Sequence, residues 1–599
     1  MSKSFRRGPV FRVAASVAVA GLAGAGAFVG ASPAQSIPAD TACPEAFPVA
    51  DLVAGDLVDG LTVSSGNEPD EFTGEVLGVL DDGIAVGLDM ILVRLTSDEI
   101  DRVGGIWAGM SGSPVYAADG RLIGAVSYGL AWGSSPVAGV TPAADMQELL
   151  TREPESTAFT AGRKIALSER MQSRLVASGA ATEAEADSGL KRLPIPVALS
   201  GMYNANRFNT AAKKLGLDNV KFFRAGSAPS AQAAEEEIFA GSNLAASLSY
   251  GDLSAVGFGT TTMVCDGKPV GFGHPFDFAG ETSLTLHASD TIYVQEDPLG
   301  FPFKVSNAGG PVGTIDQDRL PGIKGVLGVL PETSEVETTV IFGSRNRTGT
   351  THVSVPDFNA SAAAFGLLSN QDRVFDHVGR GAALVHFLIS GTTGDGEPFT
   401  LVRTNRYANT YDISFDTIWE VGDAVWALTQ NDLVDVEIDS VEVTSTMSAQ
   451  ARMFRVGKVQ VQRNDGVWRT LTSDSRVRAK AGRLLNFRVV LESRRNKFGS
   501  KLVAISVRVP SDVMPGTFGS VSLGQGGYGE CEECYYEEEG PASFQELVDS
   551  IEDAPRNDAF NVMLDLYDEI EGGLSSSKNS RLVGDVITNS KSFEVRIVR

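Results

Sequence analysis

The sequence predicts a mainly β chain of several domains. Short runs alternate apolar and polar residues, most plainly across 434–510. Gly is abundant, 65 of 599 residues, and with Asp it punctuates these runs as turns. A hydrophobic content of 43% fits packed domains and excludes a disordered chain. The net charge of −25 gives no attraction to nucleic acid or to an anionic membrane, so neither is an expected partner.

The first 34 residues read as a signal peptide. Lys3, Arg6, Arg7 and Arg12 precede an apolar run from Val13 to about Gly30, and Ser32-Pro33-Ala34 offers small residues for cleavage. An uncleaved anchor is the alternative, although the Ala/Gly-rich run is only weakly apolar. No other run reaches spanning length. The mature chain is therefore expected to be secreted or attached to the cell envelope, with no membrane contact beyond such an anchor. Cys43 and Cys265 are isolated and can pair once exported. Cys531 and Cys534 form Cys-Glu-Glu-Cys in an acidic loop, where a local disulfide is expected over a metal site that normally needs four ligands.

Residues 35–150 read as short strands in a barrel. Between two β-type segments lies Gly109-Met110-Ser111-Gly112-Ser113-Pro114. Its glycines allow a tight turn in which N–H groups face one point. Ser111 is then a candidate nucleophile, and the amides of Gly109 and Ser111 a candidate oxyanion hole. The alternative is a Gly/Ser-rich surface turn. A hairpin turn at Ala117-Ala118-Asp119-Gly120 follows, then strands at Leu122–Gly129 and Pro136–Pro142.

Residues 151–240 read as a mixed helical insertion, with helices at 163–180 and Asn206–Leu217. Residues 241–345 return to β pattern as a second barrel, with a turn at Asp266-Gly267. Residues 346–433 are a mixed α/β connection, with a helix at Ala360–Leu368 and strands at Ala382–Ile389 and Phe399–Arg406. Residues 434–525 read as a β-sandwich-like module. Residues 526–599 hold the acidic loop, helices at Ser543–Ile551 and Ala559–Ile570, and a closing strand at Ser592–Val598.

A serine nucleophile needs a base, most often His. The chain has five. His386 lies in an apolar strand, where packing or edge exposure is expected. His352 and His377 lack a special setting, and His287 follows an alternating run. His274 differs: it ends a strand in Gly271-Phe272-Gly273-His274-Pro275, where Gly and Pro fix a turn.

The wording Gly104-Gly105-Ile106-Trp107-Ala108-Gly109-Met110-Ser111-Gly112-Ser113-Pro114, continuing to Gly129, resembles the SpoIVB-type serine peptidases, a chymotrypsin-like family. The His274 turn and the stretch from Lys304 to Gly328 resemble that family too. The resemblance implies a double β-barrel in which Ser111 attacks and His274 is the base. It covers roughly 58–150 and 245–345, and the order is swapped: here Ser precedes His. A triad is defined by geometry, so the swap is physically allowed.

The analogy makes Asp318 the expected acid and Asp98 the alternative, with Asp277 and Asp252 as further candidates. It places the primary pocket at Gly104-Gly105-Ile106, Tyr128-Gly129 and Gly139, with no acid there, so a small or apolar side chain is expected before the scissile bond. It implies a protein or peptide substrate, no cofactor and no metal. Oligomeric state is left open. The competing expectation is a non-catalytic exported binding or cell-envelope protein on the same scaffold.

Overall fold

Six strands of the N-terminal region close on themselves. The computed structural model describes residues 43–130, 134–152, 226–297, 302–525, 540–567 and 574–599, with short stretches between 169 and 224. The signal segment 1–34 and Cys531 and Cys534 lie outside the described residues. Strand Leu57–Thr62 pairs with Asp70–Ala85, which pairs with Leu88–Thr96, then Val137–Pro142, Leu122–Leu130 and Pro114–Ala117, which returns to Leu57–Thr62. Every pairing is antiparallel, so the ring leaves no open edge.

Alternation places Val58, Phe72, Ile91, Val93, Val126 and Val140 in the interior, and Trp107 joins them from the loop before the serine turn. Gly60 is a packing position. A Cβ there would lie 2.2 Å from Phe72 Cζ, so the absent side chain is what lets the ring enter. The expected hairpin turn is present: Gly120, at φ 85°, donates to Ala117 O at 2.8 Å.

A second circuit of six strands follows the insertion. Asn243–Gly251 pairs with Gly280–Gln295, then Phe303–Arg319, Gly322–Leu327, Lys268–Gly271 and Ala255–Cys265, which returns to Asn243–Gly251. Asp266 and Gly267 form its predicted tight turn, both at positive φ. Leu244, Phe272, Leu284, Leu286 and Ile315 fill its interior. Within the insertion, helix Glu169–Ala177 packs Met171 and Leu175 on Leu77 and Leu92 of the first barrel. Strand Val197–Leu199 pairs with the second circuit. The helix expected at Asn206–Leu217 lies largely outside the described residues.

The connecting region is an α/β layer. Helices Asn359–Phe375 and Trp419–Thr429 share a core with strands Ser334–Phe342, Gly381–Thr393 and Pro398–Asn409. Strand Val436–Ser448 was expected to open the sandwich, but it runs parallel to Ser334–Phe342 and antiparallel to Gly381–Thr393. Its Ile438, Val441 and Val443 face the helices, so the sandwich begins at Met453.

Two five-stranded sheets then enclose one core. Ala559–Tyr567 belongs to them as a strand, which corrects the expected helix. Its buried Phe560, Val562, Leu564 and Leu566 recur every second residue, the strand period. Helix Phe544–Glu552 is capped by Ser543, whose hydroxyl accepts from Glu546 N at 3.2 Å.

Cys43 and Cys265 are disulfide-bonded across 222 residues of sequence. The bond ties the N-terminal strap to the second circuit and removes a large loop entropy from the unfolded chain. Replacing both by Ser is expected to lower unfolding free energy by about 2–5 kcal/mol, read from urea titration. An unchanged midpoint would contradict this.

Candidate active site

The serine turn is built at the seam between the two circuits. Gly109 and Gly112 have φ of 98° and 95°, a region that favours Gly. Met110 N donates to Trp107 O at 3.1 Å and Ser113 N to Met110 O at 3.0 Å, which tightens the turn. On one side Gly112 N donates to Val126 O at 2.8 Å. On the other, Thr260 N of the second circuit donates to Ser111 O at 2.8 Å, and Thr262 Oγ1 to Gly112 O at 2.7 Å. A Cβ on Gly112 would sit 1.9 Å from Thr260 O, so this approach requires Gly.

His274 reaches the same seam from the second circuit. Phe272 and Gly273, at φ 65° and 67°, bend the chain. Thr141 Oγ1 of the first barrel donates to Gly273 O at 2.6 Å. His274 Nε2 then lies 2.8 Å from Ser111 Oγ, across a sequence separation of 163 residues. Nδ1 lies 2.8 Å from Pro275 O. A carbonyl only accepts, so Nδ1 carries the proton and Nε2 presents its lone pair to the Ser111 hydroxyl. That is the tautomer a general base needs.

The amides flanking Ser111 divide in two. Met110, Gly112 and Ser113 each donate to a carbonyl; among the described residues, Gly109 N and Ser111 N do not. Two free donors at alternate positions beside a hydroxyl that is hydrogen-bonded to an imidazole have the arrangement that binds an oxyanion. Ser111 is 1% exposed and His274 0%, so the pair is closed off from solvent. The predicted pocket segment is packed: a Cβ on Gly105 would lie 2.3 Å from Ser135 N, and one on Gly139 2.6 Å from Met90 Sδ.

Asp318 stands one step from its expected place. Its Oδ1 accepts from Phe276 N at 2.7 Å, and its Oδ2 from Asp277 N at 2.7 Å and Ala279 N at 3.1 Å. It thus pins the turn that follows His274, while His274 Nδ1 donates to the Pro275 carbonyl. Burial pushes its pKa up, opposed by the backbone amides. Asp318→Asn sets an NH2 group against backbone donors. It is expected to cost about 2–3 kcal/mol and to slow any Ser111 chemistry about ten- to a hundredfold. Paired urea titration and kinetics check both effects.

Asp98 does not serve: it is exposed in the first turn of surface helix Asp98–Val103. Asp277 is exposed, and Asp252 forms an ion pair with Arg347. The Pro275 carbonyl was not foreseen, because an orienting backbone group leaves no mark on residue type.

A second Ser–His pair tests how much the first one means. His287 Nε2 lies 2.8 Å from Ser247 Oγ, and its Nδ1 3.0 Å from Gly309 O. Ser247 sits within strand Asn243–Gly251 rather than in a turn, so this pair lacks the serine turn's arrangement of donors. It is a satisfied core pair.

Burial lowers the His287 pKa to about 4. The unfolded chain takes up this proton near the ordinary pKa of about 6.5, before the folded one does. Stability is therefore expected to fall as pH drops from about 6.5 towards 4, by up to about 3 kcal/mol. His287→Gln should flatten that slope in urea titrations; an unchanged slope would contradict it. Of the remaining histidines, His352 stacks on Tyr250, His377 on Phe375, and His386, exposed on a strand paired on both sides, bonds Thr404.

Among the described residues no group of three or more His, Cys, Asp or Glu side chains is placed to hold a metal ion. No family model matches the chain, and no curated protein and no solved structure matches it.

Proposed function

We propose that this chain is an exported serine endopeptidase of SpoIVB type, with a chymotrypsin-like double barrel in which the serine-bearing half comes first. The observation that carries the reading is the 2.8 Å contact between Ser111 Oγ and the unprotonated Nε2 of His274, whose proton sits on Nδ1, beside the free amides of Gly109 and Ser111. The two closed six-strand circuits support the architecture.

In this mechanism His274 takes the Ser111 proton as Oγ attacks a peptide carbonyl. The two amides bind the oxyanion. His274 then protonates the departing amine, and water releases the acyl group by the reverse path. The Pro275 carbonyl holds the imidazole in register, and Asp318 holds the turn.

Burial of the pair favours one other reading, a non-catalytic exported binding protein on the same scaffold. Hydrolysis of fluorescently labelled casein separates them. The peptidase reading predicts cleavage by the wild-type chain and none by Ser111→Ala. Equal cleavage by both would remove Ser111 from the chemistry, and no cleavage by either would favour the binding protein.

A further inference from the structure

Lys304 is a buried amine that the mechanism above leaves unused. It lies at the start of strand Phe303–Arg319, where Ala108 N donates to Pro302 O at 2.7 Å and Lys304 N to Ala108 O at 2.9 Å. This short ladder lays Lys304 along the peptide that enters the serine turn. A Cβ on Gly109 would lie 2.8 Å from Lys304 Cβ and 3.5 Å from its Cδ and Cε, so the stem covers the face where Gly109 has no side chain.

The far end of the stem is anchored. Nζ donates to Asn243 Oδ1 at 2.8 Å. Asn243 Nδ2 donates to Gly66 O at 2.8 Å and Ser289 O at 2.9 Å, which fixes the orientation of the amide. Asn243 N donates to Asn67 Oδ1 at 3.0 Å. The anchor therefore joins a loop of the first barrel to two strands of the second.

The residue is 2% exposed. Met would fill a similar volume without desolvating an amine, so filling space does not explain Lys here. Burial draws its pKa down to about 7, with Asp70 acting in the opposite sense. What the amine adds is direction. Gly109 has the widest backbone freedom of any residue type, yet an oxyanion donor works only when it is held in place beforehand.

We propose that Lys304 is a positioning residue of the oxyanion turn: its bond to Asn243 holds the stem across Gly109 and keeps the Gly109 amide beside that of Ser111. This rests on the peptidase reading of Ser111.

The test uses the full mature chain with Lys304→Met, which keeps the stem and loses the bond. Three quantities are read: the second-order rate of fluorophosphonate labelling, the 31P resonance of the adduct, and hydrogen exchange over residues 107–113. Labelling is expected to fall about tenfold or more, the resonance to move, and exchange over 107–113 to rise. Exchange over the sandwich at 453–525 should stay as in the wild type. Labelling within about twofold of the wild type, or unchanged exchange over 107–113, would overturn the proposal.

Where Lys304→Met does not fold, Lys304→Gln, which keeps a donor for Asn243, is expected to label at an intermediate rate, and a wild-type rate would overturn the proposal. A wild type that takes no label at Ser111 defeats the peptidase reading, and exchange over 107–113 then decides the role of Lys304 alone.

Discussion

His274→Gln is expected to lower the rate of peptide hydrolysis by about 10^4-fold or more while the fold survives. Gln still offers polar atoms near Pro275 O and Ser111 Oγ, so the buried partners keep hydrogen bonds. It lacks a group that accepts a proton near neutral pH, so Ser111 loses its base. Two controls sharpen the result. His287→Gln removes the other buried Ser–His pair and should leave the rate nearly unchanged. Ser111→Ala combined with His274→Gln should be no slower than either alone, because the two act as one unit. A loss of less than about tenfold in His274→Gln would assign the base elsewhere.

Gly112→Ala has the largest expected effect on the structure. Its Cβ would lie 1.9 Å from Thr260 O and 2.5 Å from Phe272 N, and both are backbone atoms. The φ of 95° adds strain for any residue with a side chain. Relief requires the serine turn to move away from strand Ala255–Cys265, which breaks the Thr260 N to Ser111 O bond. The expected cost is about 3–5 kcal/mol, with activity lost because Ser111 moves away from His274. Gly120→Ala is the control: nothing lies within 4 Å of its would-be Cβ, so only the cost of its φ of 85° remains, about 1–2 kcal/mol. Thermal unfolding of the two variants should rank them in that order.

The parts legible in the sequence are those written in local chemistry. The Asp119-Gly120 and Asp266-Gly267 turns need positive φ, and the residue types say so. The serine turn and the His274 turn announce themselves by Gly and Pro at fixed offsets. The pairing of Cys43 with Cys265 was suggested by their isolation in the sequence.

What stayed hidden depends on distant partners. Residues 559–567 carry Met and Leu, good helix formers, yet the neighbouring strands Phe518–Gln525 and Leu574–Leu582 make the two-residue period decisive. Val436–Ser448 alternates like a sandwich strand but finds its partner at Ser334–Phe342. Asp318 was rightly placed in the His-bearing half. Its oxygens bond to backbone amides that no residue type reveals. Nothing in the sequence marks Lys304, which only the Ala108 ladder sets over Gly109.

In the proposed mechanism Ser111 is made nucleophilic by His274. Mass-spectrometric mapping of the adduct left by a fluorophosphonate on the chain decides this. A single modified serine, Ser111, is expected, with the adduct lost in His274→Gln. An adduct on another residue, or labelling of Ser111 at the wild-type rate without His274, would contradict it.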